Sequence, residues 1–438
     1  MSIVDSILQA IFPHLVPRGA LTVITARGTT LTFGDGTGEE IRIRFTDARA
    51  ELAAVLDPHL YLGELFMDGR YVVERGTIYR FLELILRETG SRTKVLPAHI
   101  INHIRSLGRR LSSRNNLLRS RRNVAHHYDL DARLYRLFLD RDLQYSCAYF
   151  ERPDCTLEEA QLAKMRLVAA KLAVRSDSRV LDIGSGWGSL AFYLKEIAGA
   201  REVMGVTLSA EQLSAARVSA RKRSLNADVN FELRDYRALE GAYDRIVSVG
   251  MFEHVGPSYY QTFFEKCSRL LKSDGVMLLH TIGHLDGPYD PNPWIEKYIF
   301  PGGHLPALSQ IVTSIERAGL IITDVECLRV HYAKTLAEWR QRFMARRGEA
   351  LELYDERFCR MWEFYLAACE ASFRYGNIGV WQVQCARSAD TLPITRDYIS
   401  ERITDLRNAE MRYGLTESLR GKVREAKLRP IMPLRRHG

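Results

Sequence analysis

The chain has 438 residues, of which 46% are hydrophobic and 26% charged, and its formal charge is +9 at pH 7. At roughly 100–200 residues per domain, this length predicts two or three globular domains with a sizeable apolar core. No apolar run approaches the ~20 residues that a membrane-spanning helix needs. No C-x-x-C pair exists among the seven cysteines, which excludes the usual thiolate zinc site.

Residues 1–95 read as a small α+β N-terminal domain. LTVITARGTTLTFGDGTGEEIRIRF alternates apolar and polar residues between glycine-rich turns and predicts two or three antiparallel strands. ARAELAAVL and IYRFLELILRET have helical periodicity, and the apolar, aromatic LYLGELFMDGRYVV lies between them. Residues 96–123 form a basic linker. From Ile101 to Tyr128 there is no acid, but Arg105, Arg109, Arg110, Arg114, Arg119, Arg121 and Arg122 are present. Such a segment is a solvated linker or a patch for an anionic lipid surface, where each basic residue contributes roughly 1 kcal/mol. Residues 421–438 form a similar basic tail.

Between them, residues 124–420 read as one catalytic domain. From Arg179 the pattern is RVLDIG, SLAFYLKEIA, REVMGVTL, AEQLSAARVSARKR, VNFELR, YDRIVSVG, YYQTFFEKCSRLL and GVMLLHTIG. Strands alternating with helices predict a doubly wound parallel sheet, with ligands beyond the carboxyl ends of the strands. In VLDIGSGWGSL the first strand turns into the first helix through three glycines, which lets a ligand approach the backbone and the helix N-terminus. A nicotinamide cofactor calls for an acid at the end of the second strand, but Thr207 stands there. Asp235 and Tyr236 in LRDY are suited to hold and stack an adenine. No P-loop lysine is present. The set fits S-adenosylmethionine better than a nucleotide phosphate.

The motifs NVAHHYDL, YSCAYF, EEAQLAK, VLDIGSGWGSLA, GVTLSAEQ, SVGMFEHVG, LLHTIG, WIEKYIFPGGHLP, HYAKTL and ACEASFRYGNIGVWQV together resemble the cyclopropane-fatty-acyl-phospholipid synthases. The resemblance runs from about Asn123 to about Arg387. The first ~120 residues also resemble the N-terminal domain of the phospholipid-acting members. Ser185 stands where cysteine is common in the family. The resemblance implies a Rossmann-like class I methyltransferase domain that transfers a methylene group to the cis double bond of an unsaturated phospholipid chain. A carbocation would form on that chain and be deprotonated by a bound bicarbonate.

Carried over position by position, the cofactor site would comprise Tyr145 and Ser146, then Val180, Leu181, Asp182, Ile183 and Gly184, then Ser185, Gly186, Trp187 and Gly188. It would continue with Thr207, Leu208, Ser209 and Gln212, and end with Asp235 and Tyr236. The bicarbonate site would comprise Cys147, Glu253, His280, the backbone at Ile282, and Tyr332. His280 and Tyr332 can donate to an anion, and Glu253 can orient it or take its proton. A carboxylate facing bicarbonate should ionise at raised pH. Cys369 matches the position once regarded as the family nucleophile, but it lies on an apolar helical stripe, which favours pocket lining or structure. Tyr298, Phe300, Trp339, Phe343, Phe373 and Trp381 suit an acyl tunnel. His280 and His284 lack a third ligand of suitable spacing, so no metal is expected.

The alternatives are a fatty-acyl methyltransferase that closes no ring, an RNA or small-molecule methyltransferase, and a non-enzymatic lipid-binding protein. The basic segments lack stacking aromatics, which argues against nucleic acid. Met1 to Leu15 lacks a basic start and a small-residue cleavage site, so a cytoplasmic protein with free thiols is expected, peripheral to the inner face of the membrane. Dimers occur in such enzymes, and no feature of the sequence specifies the oligomeric state.

Overall fold

The computed structural model describes residues 3–89 and 131–415. The basic linker at 96–123 and the tail at 421–438 lie outside the described residues.

The N-terminal part begins with α1 (Ile3–Leu15), followed by β1 (Ala20–Ile24), β2 (Thr30–Phe33) and β3 (Glu40–Phe45). It continues through α2 (Ala48–Leu56), α3 (Pro58–Met67), β4 (Tyr71–Arg75) and α4 (Ile78–Thr89). The strands form one sheet in the order β2-β1-β3-β4. The predicted alternation is visible in β3, whose Ile41, Ile43 and Phe45 are buried. The expectation of antiparallel pairing holds for β1–β2 but fails for β1–β3, which is parallel. The reason lies in the loop after β2. Asp35 Oδ1 accepts the Gly19 N–H at 2.9 Å, and Gly36 N–H donates to the Gly19 carbonyl at 2.9 Å. The chain is thereby carried back to the start of β1, and β3 then runs alongside it. The helices α1 and α3 and the strand β4 were not read from the sequence.

The larger part contains α5 (Ala132–Phe138), α6 (Leu157–Lys171), β5 (Arg179–Ile183), α7 (Ser189–Glu196), β6 (Glu202–Thr207), α8 (Ala210–Lys222) and β7 (Val229–Leu233). Then come β8 (Tyr243–Val249), α9 (Tyr260–Leu270), β9 (Leu271–His284), α10 (Pro293–Tyr298), α11 (Leu308–Arg317) and β10 (Ile321–Cys327). The described chain closes with α12 (His331–Ala345), α13 (Arg347–Leu353), α14 (Glu356–Tyr375), β11 (Ile378–Ala386) and α15 (Asp397–Arg412). The seven-stranded sheet has the order β10-β11-β9-β8-β5-β6-β7. Strands β5 to β9 are mutually parallel as expected, whereas β11 is antiparallel to both of its neighbours. From β5 the chain winds outward to β6 and β7, then returns to β8 on the other side. The order therefore reverses at the carboxyl end of β5, where such sheets bind ligands.

Apolar clusters cover both faces of this sheet. A third cluster joins the N-terminal sheet to α12 and α14. Trp294 on α10 is buried, and its indole N–H donates to Met67 Sδ at 3.3 Å. A side chain at Gly63 would meet that indole at 2.3 Å. Lys297–Glu64 and Arg357–Asp68 ion pairs ring this contact.

Candidate active site

A cavity opens at the carboxyl ends of β5, β6 and β8. Gly184, the first residue after β5, has φ +87°, and a Cβ there would lie 2.7 Å from Met251 Cβ. Only glycine permits that turn at that distance. Of the residues singled out for a cofactor, Tyr145, Ser146, Asp182 to Trp187, Thr207, Leu208, Gln212, Asp235 and Tyr236 line the cavity.

Four others do not. Val180 and Leu181 are fully buried and point into the two clusters flanking the sheet, because strand side chains alternate between faces. Gly188 is the N-cap of α7, and a Cβ there would lie 2.7 Å from the Phe231 ring. Ser209 caps α8, its Oγ accepting the Gln212 N–H at 3.3 Å.

Asp235 is engaged by Arg237, whose Nη2 donates to Oδ2 at 2.8 Å and whose Nε donates to Oδ1 at 2.9 Å. An adenine amine would use the lone pairs left over. Tyr236 packs edge-on against Phe263, with ring centroids 5.2 Å apart.

The sequence reading missed Lys164. It lies on α6, 2% exposed, and lines the cavity with Nζ donating to Ser146 Oγ at 2.9 Å. Burial pushes its ammonium down to about 8, although Asp140, Cys147 and Asp182 all pull it upward. Burial pushes the Asp182 carboxyl up to about 7, opposed by Lys164. Asp182 Oδ2 is buried and without a hydrogen-bond partner. An amino-acid zwitterion would match this pair, with its ammonium on Asp182 and its carboxylate near Lys164 and Ser146. The loop presenting Tyr145 and Ser146 is shaped by Asp140, whose carboxylate accepts the N–H groups of Asp142 at 3.0 Å and Gln144 at 2.8 Å.

Beside this cavity lies a second group. Glu253 sits in a 3-10 turn (Phe252–His254), and its neighbours Met251 and His254 both line the cavity. Its Oε1 accepts the Ile282 N–H at 2.7 Å, while Oε2 is buried with no partner. Burial raises this carboxyl to about 7, against the pull of the Ile282 N–H. His280 lies two residues before Ile282 on β9, and its carbonyl accepts the Gly250 N–H at 2.9 Å. Its Nε2 is buried without a partner. Burial, with Lys164 and Lys171 nearby, pushes the imidazole down to about 3, so it is neutral.

Cys147 is buried, its thiol donating to the Ala148 carbonyl at 3.3 Å, and burial raises it. Thr335 Oγ1, one turn after Tyr332 on α12, accepts the Ala148 N–H at 3.1 Å, which brings Cys147 and Tyr332 to one locality. The Tyr332 ring lies 4.6 Å from Phe373 and 5.8 Å from Trp339. Burial pushes the Cys369 thiol up to about 12, which keeps it protonated and argues against a nucleophilic thiolate.

Tyr298, Phe300, Trp339, Phe343 and Phe373 share one apolar cluster with Tyr145, which stacks on Trp339 at 5.2 Å. The Tyr145 hydroxyl lies 2.7 Å from that of Tyr365. Trp381 does not join them. It packs on the opposite face of the sheet, its indole N–H donating to the His284 carbonyl at 3.3 Å. Among the described residues, no group of three or more His, Cys, Asp or Glu side chains is placed to hold a metal.

The family described as mycolic acid cyclopropane synthetase matches residues 115–383. The chain belongs to this family. It is 42% identical over 331 residues to the cyclopropane-fatty-acyl-phospholipid synthase of Escherichia coli, an alignment covering 76% of this chain and 84% of that one. It is 34% identical to a tuberculostearic acid methyltransferase of Mycobacterium tuberculosis, over 87% of this chain and 90% of that one. Among solved structures it resembles a mycolic acid cyclopropane synthase complexed with SAH and CTAB, with a TM-score of 0.57 and 38% identity. That match covers 60% of this chain and 97% of the other. This cyclopropane synthase family member is thus an S-adenosylmethionine-dependent enzyme with the class I methyltransferase fold. The residues present fit that cosubstrate: its methionine end is a zwitterion, and Asp182 offers the buried, unpartnered oxygen that its ammonium needs.

Proposed function

We propose that this enzyme adds a methylene group to the cis double bond of unsaturated phospholipid acyl chains and closes a cyclopropane ring, with bicarbonate as the proton acceptor. One observation carries this reading. Two buried polar atoms have no hydrogen-bond partner, Glu253 Oε2 and His280 Nε2; Glu253 is tied through its other oxygen to the Ile282 N–H, and His280 lies two residues before Ile282 on β9. Unsatisfied buried groups are costly, roughly 1–3 kcal/mol each, and a small oxyanion would satisfy both.

S-adenosylmethionine supplies an electrophilic methyl group when bound, and bicarbonate would supply the oxygen that takes the proton. The chain's own residues do the rest. The aromatic cluster around Tyr145, Trp339 and Phe373 would exclude water from a positive carbon on the acyl chain and offer it π faces. Glu253, held near neutrality by burial, is protonated often enough to tolerate an anion beside it. Neutral His280 adds no charge that would repel the carbocation. Lys164 and Asp182 would hold the methionine end of the donor.

Turnover of labelled S-adenosylmethionine on monounsaturated phospholipid liposomes, followed by mass analysis of the lipid, tests the proposal. A gain of one CH2 with cyclopropyl proton signals is expected; no lipid product would overturn it. A second reading is favoured by the 34% identical relative named as a methyltransferase: methyl or methylene addition without ring closure. The same spectra separate the two.

No helix among the described residues is long and apolar enough to cross a membrane. The charge of +9 and the arginines of residues 96–123 support docking on the anionic inner face of the cell membrane. Neutralising Arg119, Arg121 and Arg122 should weaken liposome binding; unchanged binding would remove them from the account.

A further inference from the structure

We infer that the side-chain amide of Gln382 is a positioning group that holds His280 in the Nε2–H tautomer, so that the imidazole presents a donor at its unpartnered edge. The catalytic consequence rests on the bicarbonate reading above; the tautomer assignment does not.

Strand β11 runs antiparallel to β9, and the register sets Gln382 directly opposite His280. The Gln382 amide nitrogen lies 3.1 Å from His280 Nδ1. Both side chains are buried, at 0% and 2% exposure. The far nitrogen, Nε2, has no hydrogen-bond partner. A neutral imidazole carries one N–H, so its hydrogen-bonding character at Nε2 depends on which nitrogen holds that proton. Whatever Gln382 does at Nδ1 decides it.

Two arrangements of the amide are possible. In the first, the NH2 group donates to Nδ1, and the imidazole proton sits on Nε2. The amide oxygen is then left without a partner, as observed. In the second, the oxygen accepts Nδ1–H, the amide nitrogen loses its contact with Nδ1, and Nε2 becomes a bare acceptor. The structure has the amide nitrogen, not the oxygen, 3.1 Å from Nδ1, which is the first arrangement. It is also the arrangement an anion requires, because a lone pair on Nε2 would repel it. Gln384, two residues on and on the same face, makes the contrast plain. Its amide ties β11 to the Lys171 carbonyl and the Tyr398 hydroxyl, an architectural use. The Gln382 amide instead meets a ring whose other edge has no hydrogen-bond partner.

The test uses the full-length protein with 15N-labelled histidine, His280 being assigned by difference with His280→Gln. In the native protein without ligands, a pyridine-like Nδ1 and a pyrrole-like Nε2 are expected; the reverse pattern overturns the proposal without recourse to any variant. Gln382→Glu replaces the donor with an acceptor and should move the proton to Nδ1. Gln382→Met, close in volume, should leave a mixture. Both variants should lose roughly tenfold to a hundredfold in turnover, as second-sphere changes do. Their affinity for S-adenosylhomocysteine, measured by calorimetry, should stay unchanged and reports that they fold. Unaltered His280 signals with unaltered turnover overturn the proposal. Bicarbonate titration separates the two ideas. A native Nε2–H that does not respond to bicarbonate supports the role of Gln382 and sinks the anion reading instead.

Discussion

The carboxylate of Glu253 accepts the backbone N–H of Ile282 at 2.7 Å through Oε1, leaving Oε2 buried and open. One oxygen is anchored to the sheet while the other has no hydrogen-bond partner. Replacing the carboxylate with an amide keeps the anchor, because the amide oxygen can still accept. It loses the ability to exchange a proton. Glu253→Gln should therefore lower turnover by about a hundredfold or more, within the 10²–10⁴ typical of positioned proton-transfer groups. Cofactor affinity should stay within a few-fold. Steady-state kinetics beside S-adenosylhomocysteine calorimetry check this; an equal loss in both would place Glu253 in the cofactor site.

The raised ionisation of Glu253 has a pH signature. Below about 7 the carboxyl is protonated and bicarbonate meets a neutral neighbour; above it, two negative charges oppose each other. Apparent bicarbonate affinity should fall as pH rises through 7, and Glu253→Gln should abolish that slope. For folding the sign is the same. The acid is raised from an unfolded value near 4.3, so its contribution is fully present below that value and is lost as pH climbs through about 7. The variant should be more stable than the native enzyme above pH 7 by denaturant unfolding.

Cys369 on α14 holds its proton to about 12. A thiol of that kind is not a nucleophile at neutral pH. Cys369→Ser should keep turnover within about tenfold, while iodoacetamide should label the native residue slowly at pH 8. Loss of all turnover in the serine variant would restore covalent catalysis.

Lys164→Met removes the ammonium that holds Ser146 and faces Asp182. Hydrogen bonds to charged groups are worth about 1.5–3 kcal/mol, so affinity for S-adenosylhomocysteine should fall roughly tenfold to a hundredfold. Calorimetry reads this directly, and an unchanged affinity would exclude Lys164 from binding.

Far from the site, Glu410 on α15 is wholly buried. It accepts from Arg166 at 2.6 Å and from the Tyr193 hydroxyl at 2.6 Å. Arg166 keeps a second partner in Glu151 at 3.0 Å. Glu410→Ala should cost about 3 kcal/mol, the lower end for breaking a buried pair. Urea unfolding checks it, with turnover below the melting range preserved.

What could be read along the chain was whatever neighbouring residues decide among themselves. The apolar run before Asp182 and the glycines after it predict a strand-to-helix turn with room for a ligand, and the cavity lies there. Helical periodicity placed α2 and α4, because a 3.6-residue repeat is a local property. What crosses the sequence was hidden. The parallel pairing of β3 with β1 depends on Asp35 reaching back to Gly19. Trp381 falls on the far side of the sheet from the other aromatics because the register of β11 against β9 sets its face. Lys164 reads as one polar residue among several on a helix until tertiary burial leaves it beside Ser146. Gln382 and His280 stand 102 positions apart, and nothing in either local motif announces the other. Motifs thus determined which groups are available for the chemistry. Only the packing decided which of them lose water and in which protonation state they remain, since desolvation belongs to the fold as a whole.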